Sequence, residues 1–185
     1  MNIIHVDLPD IVLLEPRIFK DQRGYFLETY QAQRYAEQGI DVRFVQDNLS
    51  VSRRGVVRGL HYQLQKPQGK LVTVIQGEVI DLVVDIRSDS ASFGKWSKNT
   101  LSAENHLQLY VPPGFAHGFL VTSGTATVLY KVTDYYQPGD EYGIWWNDAD
   151  LDVDWPQGEA LLSDKDKDFP QLKDVPESLL PKMTT

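Results

Sequence analysis

Along the chain, short apolar runs alternate with short polar breaks, and few stretches are long enough for a helix. The run Gly55-Val56-Val57-Arg58-Gly59-Leu60-His61-Tyr62-Gln63 is representative. Its valines and aromatics sit between Arg53-Arg54 and the turn-prone Lys66-Pro67-Gln68-Gly69, a pattern that predicts a strand. Leu71 to Gln76 and Glu78 to Ile86, separated by Gly77, predict two strands joined as a hairpin. Ile11 to Phe19 predicts a strand with Pro16 at an edge or bulge, and Asp21-Gln22-Arg23-Gly24 predicts a turn. Further strands are predicted from Tyr25 to Tyr30, Val42 to Ser50, Trp96 to Leu101, Gln108 to Val111, Gly118 to Thr122 and Ala126 to Thr133. Only Gln31 to Gln38, stopped by Gly39, predicts an internal helix. From about Asn147 the pattern gives way to Pro-rich, acidic segments, read as a C-terminal helix and loops over the mouth of the β structure.

Many short strands with almost no helix between them imply antiparallel β structure, as a sandwich or a jelly-roll barrel. The length of 185 residues suits one domain over 1–185 with one sizeable core. A jelly roll lines its interior with every second residue of each strand. Strict alternation then puts Arg58 and His61 on opposite faces. Both reach one cavity only if Gly59 makes a bulge or Arg58 stands at the strand entrance.

Composition narrows the classes. The chain has no cysteine, so disulfides, thiolate metal sites and a cysteine nucleophile are excluded. The net charge is -8, but from Asp134 onward there are 13 acidic and 4 basic residues, which leaves the rest near neutral. That acidity is read mainly as solubility. No basic footprint for nucleic acid is present. The start of the chain lacks the basic-then-apolar pattern of a signal peptide, and no apolar run reaches membrane-spanning length, so a cytoplasmic protein is expected. The 4 histidines are His5, His61, His106 and His117, too few and too scattered for three converging metal ligands. Neither a metal nor a cofactor is expected. His61 suits proton transfer near neutral pH and Arg58 suits a phosphate. Together they suggest a site that holds a phosphorylated substrate and moves its protons; a core strand with a satisfied histidine and a surface arginine fits the same residues.

Seven segments, in order, resemble one family. They are Asp21-Gln22-Arg23-Gly24-Tyr25-Phe26-Leu27-Glu28, Phe44-Val45-Gln46-Asp47-Asn48, Val57-Arg58-Gly59-Leu60-His61-Tyr62-Gln63, Gln68-Gly69-Lys70-Leu71-Val72, Leu101-Ser102-Ala103-Glu104-Asn105, Val111-Pro112-Pro113-Gly114-Phe115-Ala116-His117-Gly118-Phe119 and Ser163-Asp164-Lys165-Asp166. Their number, order and spacing, over nearly the whole chain, resemble the dTDP-4-dehydrorhamnose 3,5-epimerases. The resemblance implies an all-β, cupin-type double-stranded β-helix (jelly roll) with a few short helices at its periphery. It implies a dTDP-linked 4-keto-6-deoxyhexose substrate inverted at C3 and C5, no cofactor, and a homodimer whose N-terminal strands cross to the partner.

Residue roles follow from the same resemblance. His61 would be the base, Asp166 its carboxylate partner, Tyr130 the acid on the opposite face and Lys70 the stabiliser of the enolate. Among Asp164, Asp166 and Asp168, chemistry alone does not choose. Alternation puts Val128, Tyr130 and Val132 on one face of their strand. Arg23, Glu28, Gln46, Asn48, Arg58, His117, Glu141 and Lys165 match substrate-binding positions, with Arg23 and Arg58 on the diphosphate. Tyr136, with Tyr135, would line the sugar end or stack on thymine. Asp81, set among apolar residues, would orient a catalytic group, since a buried carboxylate needs a partner. Two alternatives stand beside this reading: an enzyme inverting only C3 or only C5, and a non-catalytic nucleotide-sugar-binding cupin.

Overall fold

The computed structural model describes residues 1–183. The strands in chain order are β1 (Asn2–Ile4), β2 (Val12–Glu15), β3 (Ile18–Asp21), β4 (Gly24–Leu27), β5 (Gln46–Arg53), β6 (Val57–Gln63), β7 (Lys70–Gln76), β8 (Glu78–Asp85), β9 (Trp96–Ser102), β10 (Gln108–Val111), β11 (Phe115–Val121), β12 (Thr125–Val132) and β13 (Glu141–Gly143). Two short helices, α1 (Ala32–Ala36) and α2 (Asp164–Lys167), interrupt the loops. One sheet runs β1-β2-β10-β7-β12-β5 and the other β13-β6-β11-β8-β9, while β3 and β4 form a separate hairpin. The named strands pair antiparallel throughout. This is the all-β, jelly-roll architecture expected of the chain.

The hairpin expected across Gly77 does not form. β7 pairs with β10 and β12, β8 with β11 and β9, so Gly77 carries the chain from one sheet to the other. It does so at φ +74, where a Cβ would meet the carbonyl oxygen of Thr125 at 2.0 Å. The strand expected from Ile11 to Phe19 breaks at Pro16, which has no N–H to give a ladder, and resumes as β3. The expected helix shrinks to the five residues of α1, and 42–45 stay outside β5. β1 and β13, three residues each, carry too few positions to show a period.

The main core lies between the sheets, where Val72, Val74 and Val128 of one meet Val79, Val83 and Phe119 of the other. Each such side chain contributes roughly 1.5–3 kcal/mol on burial. The alternate residues of β8, Leu82 and Val84, face outward into a second apolar layer with Leu60 and Tyr62. Leu151, Trp155, Leu172 and Val175 cover that layer. The C-terminal segment thus coats the outer face of the five-stranded sheet, and α2 with Phe169 just beyond it reaches His61 at the mouth. Most acidic residues of this region are exposed, but Asp140 and Asp148 are buried and accept backbone N–H groups of Leu64, Gln65, Lys66 and Leu172. On the six-stranded sheet, α1 covers one end by packing Tyr35 near Leu14, Leu71 and Tyr110. At the other end Leu49 and Val51 stay 59% exposed. No helix among the described residues is long and apolar enough to cross a membrane.

Candidate active site

The phase of β6 decides what enters the barrel. Against β11, His61 lies opposite His117 and Arg58 opposite Phe119, so Gly59 and Leu60 together face the single residue Gly118. This is the bulge that Arg58 and His61 required. Gly59 has φ +123, and a Cβ on it would sit 2.6 Å from the Cα of Gly118. A Cβ on Gly118 would in turn meet the carbonyl oxygen of Arg58 at 2.4 Å. The two glycines allow the backbones to touch; the extra residue sends Leu60 outward and returns His61 to the interior.

A cavity of about 230 Å³ opens between the sheets, lined by His61 from one and by Gln46, Asn48, Lys70 and Tyr130 from the other, with Tyr136 and Glu141 at its rim. A smaller chamber of about 90 Å³ adjoins it through Lys70 and Tyr130 and adds Arg58, His117 and Ser50. Stacked sheets lie roughly 10 Å apart, so His61 and Tyr130 approach one space from opposite walls. The imidazole Nε2 is 2.7 Å from Oδ1 of Asp166. Ser163 caps α2 by accepting the N–H of Asp166, which turns that carboxylate inward, whereas Asp164 is exposed on Lys167 and Asp168 is exposed. Among the three acids that chemistry alone did not separate, the geometry pairs His61 with Asp166, the one the resemblance implied. Burial works to raise the pKa of Asp166, but the hydrogen bond and charge of His61 hold it below the usual carboxylate range.

Lys70 presents its ammonium among protein atoms, with the carbonyl of Gln68 at 3.5 Å as its hydrogen-bond partner. Loss of hydration lowers its pKa to about 8, against the opposing pull of Glu141. Burial raises the pKa of the Tyr130 phenol, which keeps it a proton donor at neutral pH. Glu141 lies with Oε1 3.6 Å from His61 Nδ1, while its Oε2 accepts from Lys165 at 2.7 Å and from Tyr136 at 3.1 Å. Gln46 donates to Asn48 at 2.8 Å. Arg58 donates Nε to Ser52 at 3.0 Å. Asp81 is wholly buried and its Oδ2 lies 2.8 Å from Nε2 of His117. The carboxylate expected to orient a catalytic group therefore orients His117 and not His61.

Two expected site residues lie elsewhere. Arg23 is 90% exposed on the β3–β4 hairpin and paired with Asp21; Glu28 binds Arg34. Neither lines the cavity holding His61. The hairpin borders a larger open hollow of about 560 Å³ whose lining includes Lys20, Asp21 and Tyr25 but no histidine. Tyr135 is exposed and stands off the cavity. Reading the sequence missed Ser50, though it shares the inward phase of Gln46 and Asn48. It also missed Phe169, whose ring meets that of His61 edge-on at 5.6 Å. Gly143 makes room for it, since a Cβ there would touch Phe169 at 2.4 Å. Among the described residues no cluster of three or more His, Asp or Glu is arranged to hold a metal ion.

Comparison with known proteins agrees with this geometry. The family model described as dTDP-4-dehydrorhamnose 3,5-epimerase matches residues 5–174. The enzyme of that name from Pseudomonas aeruginosa is 51% identical over 90% of this chain and 93% of its own. The dTDP-6-deoxy-D-glucose-3,5-epimerase of Legionella pneumophila, solved in complex with dTDP-4-keto-L-rhamnose, superimposes with a TM-score of 0.96 at 49% identity, covering 100% of this chain and 99% of its own. A dTDP-4-dehydrorhamnose 3-epimerase from Streptomyces niveus is 40% identical over 93% of this chain and 84% of its own. With its barrel, its imidazole and phenol lining one cavity, and its relatives in accord, the chain belongs to the dTDP-4-dehydrorhamnose 3,5-epimerase family.

Proposed function

We propose that this chain, acting as one domain, inverts C3 and C5 of dTDP-4-dehydro-6-deoxy-D-glucose to give dTDP-4-dehydro-L-rhamnose in dTDP-L-rhamnose biosynthesis. The observation that carries the reading is an imidazole backed by a buried carboxylate, facing a phenol across one cavity with an ammonium beside it. The C4 ketone acidifies the hydrogens on C3 and C5. His61 removes one of them as base, Asp166 holds the ring and its positive charge, and Lys70 donates to the enolate oxygen. Tyr130 returns a proton to the opposite face, and the centre is inverted. Only protons move and no oxidation state changes, so the chemistry calls for no redox cofactor. Arg58 and His117, next to the sugar cavity, bind the diphosphate side, and Gln46, Asn48 and Tyr136 take the remaining polar and aromatic contacts. Solvent deuterium distinguishes the readings. Label at both carbons of the sugar supports double epimerisation. Label at one supports an enzyme like the Streptomyces niveus relative, and label at neither supports a binding protein.

A pH profile tests Lys70. The ammonium is charged below its pKa of about 8 and neutral above it, so an enolate-stabilising Lys70 gives kcat/KM an alkaline fall near that pH. Lys70→Arg, which stays charged, is expected to lower the rate and move the fall upward. An unchanged alkaline limb in that variant would remove Lys70 from the mechanism.

The enzyme is further proposed to be a cytoplasmic homodimer. β1 is paired with β2 of its own chain, so the N-terminal element offered to a partner is the β3–β4 hairpin, with Phe26 68% exposed. Carried across to a second copy, the hairpin brings Arg23 toward that copy's diphosphate side; the bare strip at Leu49, Val51 and Ile75 offers the contact surface. Mixing two inactive variants, Arg23→Ala and His61→Ala, is then expected to restore activity, because one site in each mixed dimer regains both residues. Light scattering reporting a monomer, or no recovery on mixing, would refute it.

A further inference from the structure

We infer that Glu141 resets His61 between the two inversions, accepting the proton that the imidazole has taken from the sugar and passing it to solvent. The inference rests on the double-epimerase reading. Each inversion leaves His61 protonated and Tyr130 deprotonated, so a second inversion of the same sugar waits until the base is neutral and the acid reloaded. Nε2 of His61 is engaged by Asp166, which leaves Nδ1 as the nitrogen that meets the carbon-bound hydrogen. The protein carboxylate beside Nδ1 is Glu141, with Oε1 at 3.6 Å.

The surroundings of the two acids divide their work. Asp166 is 3% exposed and has no route for a proton to water, so it stays ionised and orients the ring. Glu141 is anchored through its other oxygen by Lys165 and Tyr136, which are 51% and 50% exposed and open the cluster to solvent. With Oε2 spent inside the protein and Oε1 turned to the ring, Glu141 serves the base and not the sugar; Lys165 is its anchor, a positioning residue. In the step, the Nδ1–H bond breaks, its electron pair stays on nitrogen, and an O–H bond forms at Oε1. That proton then leaves to water, which also reloads Tyr130. Burial acts to raise the pKa of Glu141, but Lys165, the charge of His61 and Tyr136 hold it below the ordinary carboxylate range, so the acid hands its proton on quickly.

Single-turnover labelling in deuterium oxide, with dTDP-4-dehydro-6-deoxy-D-glucose as substrate, reads the reset directly as the ratio of singly to doubly labelled sugar. In Glu141→Gln that ratio is expected to rise at least about tenfold, less than the 10²–10⁴-fold of a direct acid–base group. In Glu141→Ala, added formate is expected to bring the ratio back toward the wild-type value, a rescue that a structural role would not show. Calorimetric binding of dTDP reports that the cavity is intact in both variants. A wild-type ratio in Glu141→Gln, or a raised ratio in Glu141→Ala indifferent to formate, would overturn the inference. Wild-type protein that labels fewer than two carbons would instead sink the double-epimerase reading on which it stands.

Discussion

Alanine in place of His61 is expected to abolish deuterium incorporation at both C3 and C5, with kcat/KM reduced by at least about 10²–10⁴-fold. No other side chain on its wall of the cavity can take over. His117 shares the interior, but its Nε2 is tied to Asp81 and it lies in the adjoining smaller chamber. Glu141 is close, yet its carboxylate is held below the usual range and is a weaker base than an imidazole. Binding of dTDP should survive, because Arg58, Gln46 and Asn48 are untouched. The measurement is proton NMR of the sugar after incubation in deuterium oxide, beside calorimetry with dTDP. Persistent exchange at either carbon at a rate near that of the unaltered enzyme would show that a different group removes the hydrogen.

Tyr130→Phe is expected to separate exchange from inversion. The base and its carboxylate are intact in this variant, so hydrogens still leave the sugar and deuterium still enters. What is lost is the donor on the far wall, and the label returns from the side of His61 with the original configuration. Formation of the inverted sugar should fall by about 10²–10⁴-fold while exchange falls less. The substitution removes one hydroxyl from a half-buried phenol and keeps its ring, so packing is preserved. Coupling constants in the NMR spectrum of the labelled sugar distinguish retention from inversion. Equal losses of exchange and inversion would mean that Tyr130 acts earlier, in binding or in enolate formation.

The β character of the chain was legible because most strands have one face toward a core and the other toward something less apolar. The pairing was not. Gly77 looks the same whether it closes a hairpin or crosses between sheets, since both need a glycine with positive φ, and only contacts distant in sequence decide. The run Val79–Ile86 shows little alternation because both faces of β8 are buried, one in the barrel and one beneath the C-terminal segment. Of the site, His61, Lys70 and Tyr130 were readable from motif and strand phase, and they line one cavity as expected. Asp166 was named only by the match of Ser163-x-Lys165-Asp166 to the family, and the cap at Ser163 supplies the physical reason that side-chain chemistry could not. Arg23 and Glu28 were named by motif alone, and motif carries no information on whether a residue's own strand brings it to the cavity. Phe169 and Gly143 escaped because an aromatic in a loop and a glycine in a three-residue strand announce nothing until they meet.

The glycine contact between β6 and β11 has a consequence for how this catalyst can change. A charged anchor and a reacting ring must be addressed from one side of a single ribbon, and one supernumerary residue keeps them in step. Forcing residues 58–61 into a uniform pleat with Gly59 still present would exchange the places of imidazole and leucine, turning the chemistry out into the outer apolar layer while an aliphatic chain filled the space meant for sugar. Variation in ligand choice is therefore open at the rim and in the loops, whereas the rhythm of this one strand is fixed for any descendant that keeps the same reaction.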